Sequence, residues 1–220
     1  MMRHQQVLAE KVALAQRQLH CCNLCEHRCH VDRAAGERGQ CQAGPRPRVF
    51  RQAVDYGEEI DLVPSHVVFL SGCDLKCAFC IAGKDAMDPG RGEELSSEVL
   101  ADLVAYGQSR GARNLQWSGG QPSLFLPAIL ELMAGCPQLP PIVWKSNFHE
   151  TPEAMELLSG VADVYLADFK FGNNACASRL AGVDGYVQTV TRNLLIAAGQ
   201  GRLIVRHLLL PGHDECCLGP

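Results

Sequence analysis

From residue 48 onward, short apolar runs alternate with longer amphipathic ones, and this alternation restricts the fold more than any other feature of the chain. HVVFLSG (66–72), NLQWSGG (114–120), PIVWKSN (141–147), DVYLADFK (163–170) and RLIVRHLLLPG (202–212) read as five strands. Residues 96–111, 124–134, 151–160, 174–181 and 186–199 read as helices between and around them. The segment 96–111 has Ser available as N-cap and Gly at its end; 151–160 has Thr at the cap, Pro at the first helical position and Gly at the stop. Strand–helix alternation at this pitch predicts parallel strands with right-handed crossovers. In such folds ligands sit at the carboxyl ends of the strands. Every unusual motif of this chain lies at one.

The most unusual is SGCDLKCAFC (71–80), where Cys73, Cys77 and Cys80 stand as C-x3-C-x2-C. Zinc or an ordinary iron–sulfur cube takes four ligands. Three cysteines therefore suit either a zinc loop borrowing a remote fourth ligand or a four-iron cube with one iron open to a substrate. Zinc loops usually come as paired C-x2-C knuckles, and this spacing differs. Phe79, between the last two cysteines, stands where an aromatic ring covers a bound planar group.

This loop resembles the C-x3-C-x2-C loop of the radical S-adenosylmethionine (SAM) superfamily, in which SAM completes the fourth iron of a [4Fe-4S] cluster. The remaining motifs resemble its pyruvate formate-lyase activating enzyme-like branch, in particular larger homologues with an extra N-terminal cysteine module. The resemblance covers roughly residues 20–217. It implies a partial (βα) barrel, an α/β fold with about five parallel strands present, carrying a small N-terminal cysteine-rich module. In WSGGQP, Gly119 and Gly120 match the motif whose backbone receives the SAM amino group; Gln121 stands where the family has Glu. Gln121 still offers a carbonyl acceptor but no negative charge. DFK matches a D-L-K motif and places Asp168 and Lys170 among the cofactor contacts. VRHLLLPGH resembles an R-Y-x3-P-G segment and puts Arg206 near the SAM carboxylate or ribose. In WKSNF, Lys145 replaces an acid that helps hold a cation beside SAM, with Ser146 next to it among the contacts. The Lys145 ammonium is then expected to stand in for that cation, paired with Asp168.

Residues 1–20 read as an N-terminal helix, with Val7, Leu8, Val12, Ala15 and Leu19 at helical spacing. Residues 21–47 form a cysteine-rich module and 48–220 the core, which reads as truncated after its fifth strand, where the superfamily has six. In the module, Cys22, Cys25, Cys29 and Cys41 suit zinc or a second, fully ligated cluster, with Cys21, His27 and His30 as alternates. Cys136 and Cys176 read as isolated buried residues. Cys216 and Cys217 become ligands only if the tail folds back. His66 and His149 read as structural, and His207 and His213 as candidate contacts for SAM or substrate.

Twelve cysteines in a chain without an apolar N-terminal signal point to metal ligation in the cytoplasm rather than to disulfides. No apolar run is long enough to cross a bilayer. Residues 1–51 carry nine Lys/Arg against four Asp/Glu, but without the interleaved aromatics that stack bases, so no nucleic acid is expected. The resemblance implies a reductant such as ferredoxin or flavodoxin and reductive cleavage of SAM to a 5′-deoxyadenosyl radical. That radical would take hydrogen from a substrate, in activating enzymes a glycine of a partner glycyl radical enzyme. Two other readings compete: a zinc-binding adaptor, and a non-catalytic iron–sulfur electron carrier. Neither requires SGGQP, DFK and VRHLLLPG at successive strand ends.

Overall fold

The structure is a computed structural model that describes residues 2–57 and 59–218, with side chains from Gln6 onward. Its elements are, in chain order, α1 Met2–His20, β1 Arg48–Asp55, β2 Ser65–Leu70, α2 Gly83–Met87, β3 Glu93–Glu94, α3 Ser97–Ser109, β4 Asn114–Gly119, α4 Leu126–Ala134, β5 Ile142–Ser146, α5 Pro152–Leu158, β6 Val164–Phe169, α6 Asn174–Ala181, α7 Tyr186–Gln200, β7 Arg202–His207 and α8 Asp214–Leu218. One sheet runs β3-β1-β2-β4-β5-β6-β7. The five expected strands are β2, β4, β5, β6 and β7, all parallel. The fold is the expected α/β type with a mostly parallel sheet. β1 and β3 add an antiparallel edge that the sequence reading missed. β1 is half-exposed along most of its length and shows no clean alternation of apolar and polar residues.

The parallel order follows from burial. β2 and β4 are buried at five of six positions each, as strands covered on both faces must be. Trp117 and Trp144 are fully buried within them and β5. The helices start where the sequence punctuates them: Ser96 Oγ accepts from Val99 N, Thr151 Oγ1 from Ala154 N, and Asn173 Oδ1 from Cys176 N. α6 ends at Gly182 in the left-handed region (φ +71°). α1 packs on α4 and α5 through Leu8, Ala15 and Leu19. The same continuous core takes in Cys22, Leu24 and Cys25 of the cysteine-rich stretch.

The fifth strand is shorter than expected. It stops at His207, and residues 208–213 leave the sheet as a loop leading into α8. β7 forms one side of the described sheet, with Val205 45% exposed on it.

Candidate radical SAM site

The carboxyl ends of all five parallel strands open into one cavity of about 730 Å³, a size suited to a small ligand. β2 delivers Cys73, Cys77, Phe79 and Cys80; β4 delivers Ser118, Gly119 and Gly120; β5 delivers Lys145, Ser146 and Asn147. β6 contributes Asp168 and Lys170, and β7 contributes Arg206 and His207. The motifs are thus brought together from segments more than a hundred residues apart.

The cysteine loop is held from two sides. Its amides at Lys76 and Ala78 donate to the carbonyls of Ala181 and Leu180, the otherwise unpaired end of α6. On the other side, Gly120 N donates to Leu70 O (2.7 Å) and Gln121 N to Gly72 O (2.8 Å). The two glycines are required by this contact. A Cβ on Gly120 would meet Gly72 O at 2.0 Å, and one on Gly119, at φ +107°, would meet Leu70 backbone at 2.3 Å. The glycine turn and the cysteine loop are therefore pressed backbone to backbone.

Burial pushes the Cys73 thiol well above its ordinary pKa and the Cys77 thiol up to about 11, while Lys170 pulls both the other way. Burial lowers the affinity of Lys170 itself for its proton, but Asp168, Cys77 and Cys73 outweigh it and keep the ammonium charged. Lys170 Nζ lies 3.0 Å from Asp168 Oδ2. Two desolvated thiols, Cys73 and Cys77, beside a largely buried cation suit a group that supplies positive charge to draw thiolates out. The close-packed glycines, the open cavity and this donor set fit a [4Fe-4S] cluster with SAM beside it.

Several expectations need correction in detail. Gln121 is buried and does not line the cavity; its Oε1 accepts from Asn147 N (3.1 Å) and its Nε2 donates to Glu150 Oε1 (3.0 Å). Glu150, fully buried, also accepts from Ser123 Oγ (2.5 Å), and burial raises its pKa. The acid absent at position 121 thus has a carboxyl neighbour from the loop after β5. The cation on Asp168 is Lys170, where Lys145 was expected; Lys145 lines the same cavity. Arg206 is gripped by the carboxylate of Glu59 through Nε (2.5 Å) and Nη2 (2.8 Å) at the cavity wall. Phe79 stands edge-on to Phe171, with ring centroids 5.6 Å apart.

Sequence reading missed Asp74; His149, read there as structural, is its partner. Asp74 follows the first loop cysteine and is fully buried; Oδ1 accepts from Asn147 Nδ2 (2.8 Å) and Oδ2 from His149 Nδ1 (2.9 Å). Burial alone would raise its pKa, but these bonds prevail and hold it below the usual carboxylate value. Asn193 Nδ2 donates to the carbonyls of Phe148 (2.9 Å) and Glu150 (2.7 Å) and so fixes this loop, in which Phe148 takes φ +57°. Only the Asn and His of NFH, just past a strand, could have signalled it. His66 is structural as expected: it is 1% exposed, and its Nε2 meets Gln52 Oε1 at 2.8 Å.

The N-terminal cysteines pack against this loop. His30 N donates to Cys22 O, Cys22 N to Val31 O, and Gln40 N to Cys29 Sγ at 3.3 Å. Gly39 leaves room for Cys29, whose Sγ would lie 2.7 Å from a Cβ there. Arg33 is 1% exposed, with Nη1 on Leu124 O (2.6 Å) and 3.8 Å from Cys22 Sγ. Among the described residues no carboxylate pairs with it. A buried guanidinium needs negative charge nearby, and metal-bound thiolates would supply it. Among the described residues, the sets of ligand atoms lying within 4.8 Å of one another are His27–Asp74–His149 and Cys176–His213–Cys216–Cys217. Neither group of expected cluster cysteines is drawn together that tightly.

Residues 67–219 match the Radical SAM superfamily family model. The chain belongs to the radical SAM superfamily. The uncharacterized protein MJ0674 of Methanocaldococcus jannaschii is 37% identical over 213 residues, which are 94% of this chain and 62% of that protein. The chain thus spans less than two thirds of the length of that relative. Among solved structures, the Streptococcus suis protein SuiB bound to precursor peptide SuiA aligns with a TM-score of 0.46 and 16% identity, over 61% of this chain and 30% of SuiB. SuiB alone aligns with a TM-score of 0.40 and 15% identity, over 60% and 30%. The matched residues include Cys73, Cys77 and Cys80 and all five parallel strands except the first two residues of β2.

Proposed function

We propose that the chain is a radical SAM enzyme of the activating enzyme-like branch, working in the cytoplasm on a glycine of a partner protein. The observation that carries the reading is the convergence of the three-cysteine loop, the Gly119–Gly120 turn, Asp168, Lys170 and Arg206 on one cavity. In this reading Cys73, Cys77 and Cys80 would hold a [4Fe-4S] cluster and leave one position open for SAM. When bound and reduced, that cluster supplies the electron that cleaves SAM to methionine and a 5′-deoxyadenosyl radical.

The chain's own part is binding and orientation. Gly119 and Gly120 let the backbone approach the SAM amino group. Lys170, Lys145 and Arg206 would oppose the SAM carboxylate, with Asp168 fixing Lys170 and Glu59 fixing Arg206. Phe79 and Ser146 complete the contacts. Asp74, through His149 and Asn147, orients the first turn of the cysteine loop.

Cys22, Cys25, Cys29 and Cys41 would hold a second cluster, which would supply a relay for electrons from a reductant such as ferredoxin or flavodoxin. Thiols around one tetrahedral zinc stand about 3.8 Å apart, from a Zn–S bond of about 2.3 Å, whereas among the described residues no three thiols of this module lie within 4.8 Å of one another. Their nearness to the catalytic loop supports the relay: Asp74 raises the Cys25 pKa after burial does, and His27 touches Asp74.

The test is equilibrium binding of SAM to the oxygen-free protein loaded with iron and sulfide. Saturable binding with about eight irons per chain, lost in Cys77→Ala, supports the reading; about four irons removes the second cluster, and no SAM binding overturns the whole.

A further inference from the structure

The C-terminal tail folds back onto α6 and brings together four ligands that the sequence reading left apart. Cys176 stands in the first turn of α6, and His213, Cys216 and Cys217 lie at the start of and within α8. Cys176 Sγ is 3.6 Å from Cys216 Sγ and 3.2 Å from His213 Nδ1; Cys216 Sγ is 3.4 Å from the same nitrogen and 3.9 Å from Cys217 Sγ. All four ligand atoms lie within 4.8 Å of one another. We infer that Cys176, His213, Cys216 and Cys217 form a closed, tetrahedral site for one zinc ion, separate from both cluster sites.

The distances argue for a single ion. Zinc bonds of about 2.3 Å to sulfur and about 2.0–2.1 Å to nitrogen place tetrahedral ligands between about 3.5 and 3.8 Å apart. Three thiols and one imidazole are a donor set that soft, borderline zinc favours over magnesium, calcium or manganese. The surroundings also fit. Asn173 Nδ2 donates toward Cys176 Sγ (3.3 Å) and Cys217 Sγ (3.4 Å), the kind of outer contact that steadies metal-bound thiolates. Three thiolates and one zinc leave a net charge of about −1, and the exposed Arg179 lies beside it, with Nη2 3.4 Å from His213 Nε2. With zinc on Nδ1, the ring proton moves to Nε2, and the Arg179 side chain has room to turn toward water.

A filled fourth position leaves no place for a reacting water, so this is a structural clip. What it fixes is the cavity wall. Gly172 abuts the Cys217 carbonyl so closely that a Cβ would meet it at 1.9 Å, and that carbonyl faces His207 Nε2 at 3.1 Å. The clip ties the segment after β7, which lines the cavity, to the helix whose last carbonyls hold the cysteine loop.

The test is metal content. The full chain, loaded with iron and sulfide, is given zinc, passed through a desalting column and analysed for both metals, with zinc X-ray absorption on the same sample. We expect about one zinc per chain, with three sulfurs at about 2.3 Å and one nitrogen at about 2.0–2.1 Å. Cys176→Ser should abolish the zinc while iron stays at its native level. Because Cys176 is buried, Cys216→Ser at an exposed position serves as the second variant, with the same expectation. No bound zinc, a four-sulfur environment, zinc lost with Cys22→Ser but kept with Cys216→Ser, or a Cys176–Cys216 disulfide in its place would each overturn the inference.

Discussion

His27 Nε2 donates to the Asp74 carbonyl at 2.9 Å, joining a residue between two N-terminal cysteines to the residue after the first cysteine of the three-cysteine loop. The His27 ring also stands edge-on to His149, 5.3 Å away, and His149 holds the Asp74 carboxylate. Two cysteine groups that are 32 residues apart at their nearest in sequence, Cys41 and Cys73, thus share one buried polar junction.

Asp74→Ala should break that junction. It leaves His149 and Asn147 buried without their common acceptor, and removal of one partner from a buried pair costs about 3–5 kcal/mol. Denaturant unfolding of cluster-loaded protein measures it; a loss under about 1 kcal/mol would show that Asp74 does not organise the loop.

Gly120→Ala should be worse tolerated than any alanine substitution on the surface. The added Cβ has only backbone to meet, at Gly72 O, and backbone cannot turn away. We expect a loss of about 3 kcal/mol or more and reduced iron uptake, because β4 and the cysteine loop must separate. Iron content with thermal unfolding reads both effects.

Lys170→Met should leave cluster assembly intact and weaken SAM binding about ten-fold, equivalent to about 1.4 kcal/mol. The ammonium, held by Asp168, faces the cavity without ligating metal. Titration of SAM against the loaded variant checks this, and unchanged affinity would move the carboxylate contact to Lys145 or Arg206.

His66 should give the protein an acid-sensitive step. Burial against α3 lowers its pKa in the folded state below the unfolded value of about 6.5. As pH falls through that value, the unfolded chain takes up the proton first. The stability present above pH about 6.5 is then lost progressively toward the folded pKa. His66→Gln removes the proton uptake and should flatten the fall in melting temperature between pH about 6.5 and 5 relative to the native chain.

The parallel core was readable because its strands are buried on both faces and therefore nearly continuous in apolar residues, as in VYLADF. β1 was not, since RVFRQAVD mixes half-exposed positions without a clear period. Glycine punctuation and caps placed α3 and α5 to within a residue or two. The site separates in the same way. Cys73, Cys77 and Cys80 are local in sequence and carry their own spacing. The Gln121–Glu150 contact, the grip of Glu59 on Arg206 and the meeting of Cys176 with Cys216 depend on crossovers that bring remote segments together, and no local pattern encodes them. Lys170 rather than Lys145 reaches Asp168 because the two share one strand end, two residues apart.

The most direct measurement is SAM cleavage. Protein with a full complement of iron and sulfide is reduced with dithionite in the absence of oxygen, given SAM, and assayed for 5′-deoxyadenosine beside Cys77→Ala. The account predicts 5′-deoxyadenosine and methionine in equal amounts from the native chain and neither above background from the variant. A fully loaded native chain that forms no 5′-deoxyadenosine, or equal product from both proteins, would contradict it.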